Sequence, residues 1–332
     1  MGKSKVIYYN VDDSLDYERD LLRQWGVTGL EREGICDKSG KMPFVEAVAD
    51  ADGLVVAYEQ LTALVLEQLP RCRIVSLQSI GYNNVDVEAA SRLGICVTNI
   101  PGFCTEEVAL HAVGMIIDLA RKITYFDRLV RAGKWDPLLG PAIHRIAGKT
   151  VGLVFFGSIP KAMMPMLKAL GLRVLVWAPT KSADYLASFG ACKAESLNQL
   201  LRESDFVSLH CPLIESTRHL IGERELAMMK PGAFLINTAR GAVVDEPALV
   251  RALREGIIAG AAVDVIEDEA NGTSDLFGLP NTVITPHAAF ISEESYFQGR
   301  RMALEQLVQR LVEKRWPEHL VNSSLRTGAG PQ

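Results

Sequence analysis

The chain has 332 residues, 48% of them hydrophobic and 23% charged, and a net charge of −5 at pH 7. That is room for two domains of ordinary soluble composition, with no basic footprint for nucleic acid or an acidic membrane surface. The six cysteines are scattered without a C-x-x-C pair, so neither a metal site nor a redox dithiol is expected. Free thiols in a reducing cytoplasm fit better. Lys3, Lys5, Asp12 and Asp13 leave no apolar export segment, and the most apolar helical stretch, 108–120, is too short to span a bilayer.

In chain order, KVIYYN from Lys5 reads as a strand, followed by an amphipathic helix over 15–24. MPFVEAVADA is a helix, GLVVAY a strand, TALVLEQLP a helix stopped by Pro70, and CRIVSLQ a strand. DVEAASRLG is a helix closed by Gly94, and ICVTNIP a strand. After Pro101-Gly102 one long helix is predicted over 105–131, with Thr105 as its cap. From Lys149 a second series alternates strand and helix up to TVITPH. A last helix over 293–314 carries a charged outer face, and the tail NSSLRTGAGPQ forms no core. Strands that never approach as tight hairpins imply βαβ units, hence α/β domains with parallel sheets.

Three of the later strands end on chemistry. INTARGAVVDE delivers Arg240, GAAVDVIEDEA delivers Glu269 and NTVITPHAA delivers His287. A guanidinium holds a carboxylate by paired hydrogen bonds. A carboxylate beside an imidazole fixes its tautomer and favours the charged, proton-donating ring. Together these groups suit reduction of a carbonyl that sits next to a carboxylate.

NTARGAVVDEPAL, AAVDVIEDE and TPHAA resemble, in order, the signature blocks of the D-isomer-specific 2-hydroxyacid dehydrogenases. That family includes D-lactate, glycerate and phosphoglycerate dehydrogenases and the C-terminal-binding-protein corepressors, and the likeness runs from about Lys5 to about Asn322. It implies a flavodoxin-like substrate domain, residues 1–101 and 291–332, with a Rossmann-type dinucleotide-binding domain, 102–290, inserted in it. It implies interconversion of a 2-keto acid and a D-2-hydroxy acid using NAD(H) or NADP(H), with Arg240, Glu269 and His287 catalytic. Ile80, Gly81, Tyr58 and Phe290 would bind the substrate. Thr105, Gly157, Ser158, Ile159, Ala178, Thr180, His210, Cys211, Pro212, Thr238, Ala239 and Asp264, with Arg240 and His287, would line the cofactor crevice. Asp264 would also steady Arg240. The helix from Thr105 and the Trp135 arm would form a homodimer interface. The alternative is a dinucleotide-sensing binding protein, or a weakly active pseudoenzyme, like the corepressor branch.

The chain departs from the family pattern at its phosphate loop, VGLVFFGSIP. Phe155 stands at the first glycine position and Pro160 at the third, while Gly157 is kept. A benzyl group in the crevice and a missing donor predict weak cofactor binding. No acidic residue ends the next strand, where Ala178-Pro179-Thr180-Lys181 follows, so a ribose 2′-phosphate is not repelled. Thr180 and Lys181 either contact such a phosphate or form a solvated turn. Ala270 replaces the usual proline after Glu269, and Leu110 stands where an acidic residue is usual.

Overall fold

The computed structural model describes residues 3–11, 13–36 and 42–327. The chain divides into two compact units: Met1–Phe103 with Ser292–Gln332, and Cys104–Ile291.

The first unit is a five-stranded parallel sheet: β1 (Ser4–Tyr9), β2 (Leu30–Ile35), β3 (Gly53–Val56), β4 (Ile74–Leu77) and β5 (Cys96–Thr98), in spatial order β2-β1-β3-β4-β5. Helices α1 (Asp16–Gln24), α2 (Phe44–Val48), α3 (Ala63–Leu66) and α4 (Val87–Arg92) connect them. Every residue of β3 and β4 is buried, as a parallel sheet covered on both faces requires. One face packs with α2–α4; the other takes the closing helix, Glu293–Leu311, through Leu304, Leu307 and Leu311 against Val6, Val55 and Ile74. A Cβ at Gly53 would lie 2.9 Å from the terminal methyls of Leu307 and Leu311, so a side chain there would make those leucines repack.

Two features of this unit go beyond the sequence reading. β2 was not predicted, because LEREGI lies at the sheet edge and is mostly exposed, so it carries no apolar run. The closing helix is not simply charged outside: Arg300 is 4% exposed and its Nε lies 2.6 Å from Glu18, itself fully buried, with Asp13 on the guanidinium's other edge. Burial alone would disfavour the Arg300 charge, but the hydrogen bonds to Glu18 and Asp13 outweigh it and raise the group above its ordinary value.

The second unit is a seven-stranded parallel sheet: β6 (Thr150–Val154), β7 (Arg173–Trp177), β8 (Cys192–Lys193), β9 (Phe206–Leu209), β10 (Phe234–Asn237), β11 (Gly260–Val263) and β12 (Thr282–Ile284). Its order is β12-β11-β10-β9-β6-β7-β8. The order reverses between β6 and β9, the switch point where doubly wound sheets open a crevice at their carboxyl ends. Helices α5 (Thr105–Arg121), α6 (Ile123–Arg131), α7 (Ser158–Ala169), α8 (Ala183–Ser188), α9 (Leu197–Glu203), α10 (Glu223–Met228) and α11 (Glu246–Arg254) belong to it, and two apolar cores fill its faces.

The predicted helix over 105–131 is two helices. Lys122 adopts left-handed backbone (φ 59), and Asp118 accepts hydrogen bonds from the Thr124 amide (2.8 Å) and hydroxyl, starting α6 afresh. Thr105 is the first residue of α5 rather than its cap; Cys104 precedes it without a side-chain capping bond. Among the described residues no helix is long and apolar enough to cross a membrane.

Candidate active site

The carboxyl ends of β10, β11 and β12 lie side by side, and each turns into a loop held by its own polar contacts. After β10, Asn237 accepts from the Ala239 amide (3.0 Å) and donates to the Arg240 carbonyl (2.9 Å). Gly241 lets this loop press on the next: a Cβ there would sit 1.9 Å from the Ile266 carbonyl oxygen. The guanidinium of Arg240 donates to the Ala239 carbonyl at 2.7 Å.

The loop after β11 carries Glu269 and the one after β12 carries His287, and their side chains meet: His287 Nδ1 lies 2.9 Å from Glu269 Oε2. A carboxylate only accepts, so Nδ1 carries the hydrogen and Nε2 is left to exchange a proton with a substrate. His287 is one of the few non-glycine residues with left-handed backbone (φ 53). Asp264, 2% exposed, holds it there. The Asp264 carbonyl accepts from the His287 amide (2.7 Å), and its carboxylate accepts from the amides of Ala288 (2.8 Å) and Ala289 (3.0 Å) and the Thr285 hydroxyl (2.5 Å). Because that hydroxyl donates to Asp264, His111 Nε2, 3.0 Å away, must donate to it. Asp264 is thus committed to the His287 loop and forms no ion pair with Arg240, contrary to the sequence expectation. The Phe290 ring stands edge-on to His287, centroids 6.1 Å apart.

On the other side of the switch point β6 turns into α7. Phe155 is also left-handed (φ 72), the conformation that favours glycine. Its ring packs edge-to-face on Trp177 at the end of β7, centroids 5.8 Å apart, and against apolar core residues. Gly157 precedes the first turn of α7, and nothing in the chain lies within 4 Å of where its Cβ would be. Ser158 and Ile159 begin the helix, and Pro160 is its third residue. An amide there has no intrahelical acceptor in any case, so the helix loses no bond. Ala178 is buried and Thr180 exposed. Lys181 Nζ lies 5.3 Å from the Tyr185 ring centre and Lys161 Nζ 5.5 Å from the same ring. Among the described residues neither ammonium forms an ion pair.

Between these regions β9 ends on His210, whose amide donates to the Val154 carbonyl (3.0 Å) and whose Nε2 is 2.9 Å from the Ser208 hydroxyl. Desolvation lowers His210 to about 3, so its ring is neutral near pH 7 and is no proton donor there. Burial pushes the thiols of Cys211 to about 11 and Cys104 to about 12, so both stay protonated. The Pro212 carbonyl accepts from the Thr217 hydroxyl at 2.6 Å. The Thr238 hydroxyl, next to Ala239, is buried without a partner. That orphaned donor and the open space before Gly157 suit a polar ligand along these strand ends, and a dinucleotide has that length and polarity.

The remaining expected residues lie in the first unit. The Ile80 carbonyl accepts from Asn99 (2.8 Å) and the Gly81 carbonyl from the Ser79 hydroxyl (2.6 Å), while neither amide has an acceptor among the described residues. Tyr58 is 66% exposed. Sequence reasoning missed Lys161, His111 and Thr285, since a lysine in a first helical turn or a lone histidine in an apolar helix carries no signal by itself. Among the described residues no cluster of three or more His, Cys, Asp or Glu is placed to hold a metal ion.

Residues 113–289 match the family model described as D-isomer specific 2-hydroxyacid dehydrogenase, NAD binding domain. The chain is similar to a glyoxylate reductase of Thermococcus litoralis, 37% identical over 295 residues, which cover 86% of this chain and 88% of the other. It is similar as well to a glyoxylate reductase of Aeropyrum pernix, 40% identical over 300 residues, 87% of this chain and 89% of the other. Among solved structures it resembles a D-lactate dehydrogenase from Aquifex aeolicus complexed with NAD and lactic acid, with a TM-score of 0.81, 28% identity and coverage of 98% and 100%.

Proposed function

The chain belongs to the D-isomer specific 2-hydroxyacid dehydrogenase family, and from that premise we propose that it reduces a small 2-keto acid with Arg240, Glu269 and His287 as its catalytic residues. It is an NAD(P)-dependent oxidoreductase interconverting keto and hydroxy acids, and a binding-only role is not favoured. The single observation that carries the catalytic reading is the 2.9 Å pair of Glu269 and His287 at the strand ends, with Nε2 left over. When bound, a reduced nicotinamide supplies hydride. His287 donates a proton from Nε2 to the carbonyl oxygen, Glu269 holds the ring in that tautomer, and Arg240 orients the keto acid by its charge. In the first unit the amides of Ile80 and Gly81, which have no acceptor among the described residues, would take the substrate's carboxylate, and Tyr58, just beyond the end of β3, would line the same pocket. Phe290 would exclude water beside His287. A glyoxylate-sized substrate is supported by the names of the relatives.

For the cofactor we infer NADP(H). Ala178 offers no carboxylate to repel a 2′-phosphate, and Lys181 and Lys161 are two unpaired cations close to one ring beyond it. The domain roles follow: the second unit binds the dinucleotide, the first the substrate. A homodimer is supported by apolar residues left exposed from α6 onward, Trp135 (87%) and Leu138 (88%) foremost. A cytoplasmic setting is supported by six free cysteines.

The test follows oxidation of NADPH and NADH with glyoxylate, hydroxypyruvate and pyruvate, and fixes the configuration of the lactate formed. Turnover with NADPH favoured and D-lactate from pyruvate is expected. L-lactate, or no turnover of any 2-keto acid, would sink the reading.

A further inference from the structure

The catalytic carboxylate rides on a loop with little packing to hold it. Residues 267–273 are all exposed, so the position of Glu269 must come from polar contacts at the loop's ends. Both ends meet one side chain. Glu246, the first residue of α11, accepts the Glu267 amide on Oε2 at 2.9 Å and the Ser274 hydroxyl on Oε1 at 2.6 Å. Glu246 is itself set by the helix start, where Asp245 caps α11 by accepting the Ala248 amide at 2.9 Å. A second contact braces the entry: the Glu267 side chain meets His219 Nε2 at 2.8 Å, and His219 is held in left-handed backbone (φ 50) with its amide on the Ala242 carbonyl. Within the loop Asp268 closes a local turn with Asn271 and Gly272.

We propose that Glu246 is a positioning residue for catalysis: its two carboxylate oxygens clamp the two ends of loop 267–274 and so fix Glu269 against His287. The inference rests on Glu269 acting through His287. An ionised carboxylate suits the task because it accepts on both oxygens. A carboxamide in its place would turn its own NH2 toward one of the two donors that the carboxylate accepts. Without the clamp the loop samples more positions, and only a fraction of the molecules present Glu269 to the ring at any moment.

The experiment is a double-mutant cycle with Glu246→Ala and Glu269→Gln, reading kcat and KM for glyoxylate, NADPH affinity and the pH profile of reduction. Glu246→Ala should lower kcat about tenfold or more, the range seen for supporting residues around a site, while NADPH affinity stays within about twofold. Its pH profile of reduction should change in the same way as that of Glu269→Gln, because both substitutions act on the same pair. In the Glu269→Gln background the same change should cost less than about twofold, because the residue it acts through is already gone. Equal losses in both backgrounds, or an unaltered kcat in the single variant, would overturn the clamp. If Glu246→Ala fails to give a cooperative melt, Ser274→Ala removes one arm only and goes through the same cycle with the same criteria. Should Glu269→Gln itself turn over like the wild type, the role of Glu269 falls, and the clamp with it. A slow Glu269→Gln beside a fast Glu246→Ala removes the clamp alone.

Discussion

Two loops of the second unit carry the same kind of backbone strain and treat it differently. His287 and Phe155 both lie in the left-handed region, at φ 53 and φ 72. For a residue with a side chain this costs about 1–2 kcal/mol. Around His287 the cost is met by a buried carboxylate that gathers two amides and a hydroxyl, with a third amide on its own carbonyl. Around Phe155 the support is a backbone bond from its amide to the Trp177 carbonyl (2.8 Å) and non-directional packing of the ring on Trp177 and on apolar core residues. Strain that the surroundings overdetermine serves a site, because it fixes a reactive group in one pose. Strain with little support is a residue standing where another would fit better. The His287 loop is of the first kind and the Phe155 loop of the second.

The comparison can be broken at either end. The largest effect expected is from His287→Ala, which should cut kcat by about 10²- to 10⁴-fold, the usual worth of a positioned general acid. Dinucleotide affinity, read by NADPH fluorescence, should be retained; near-normal turnover would remove His287 from the chemistry. Asp264→Asn should come next. It turns a buried donor toward groups that are themselves donors, costing about 1–3 kcal/mol in a thermal or denaturant melt, and it slows turnover because the His287 loop is freed. A melt unchanged from wild type would mean that the carboxylate is not what supports the strain.

Phe155→Gly sharpens the contrast, because two readouts should part. Stability should fall: relief of about 1–2 kcal/mol of strain is outweighed by loss of an aromatic contact worth about 0.5–1.5 kcal/mol, by loss of the ring's packing on the core and by glycine's own entropy cost of about 0.5–1 kcal/mol. Cofactor affinity should still rise, by about tenfold for each 1.4 kcal/mol that the side chain costs a bound dinucleotide. Weaker binding in that variant would make the ring an accommodated part of the site. Ala178→Asp should then move preference from NADPH towards NADH, and an unchanged ratio would count against the lysine pair.

An effect seen only in acid lies between the two loops, at His210. Its folded value of about 3 is below the roughly 6.5 of a free imidazole. The unfolded chain therefore takes a proton that the folded one refuses. Its contribution is whole above about pH 6.5 and is lost as pH falls from there towards 3. His210→Gln should flatten that part of the stability profile, and an identical acid slope in the variant would contradict the assignment.

The sequence was legible where one residue's identity is dictated by one local demand. Apolar runs ending on polar residues located β10, β11 and β12, and with them Arg240, Glu269 and His287. The misfit of Phe155 could be read because a turn of that kind asks for glycine. What could not be read depends on partners far along the chain. β2 is a strand only because β1 offers it a parallel edge, and Arg300 is buried only because Glu18, 282 positions earlier, is there to meet it. Asp264 was placed at the right strand end and given a wrong partner, since nothing in VDVIEDE says that Thr285, Ala288 and Ala289 fold back onto it. Lys161 and Glu246 stayed hidden for the same reason: their significance lies in Tyr185 and in loop 267–274.

The order of synthesis bears on the closing helix. Residues 104–291 form a contiguous unit, complete in its own chain once its last strand has left the ribosome. The first unit does not have that property. The face of its sheet bearing Val6, Tyr8, Val55 and Ile74 is covered by Leu304, Leu307 and Leu311, which are translated after everything between. At roughly 5–20 residues per second, that apolar face waits on the order of ten to forty seconds for its cover. The first unit, begun before the second, is thus finished after it.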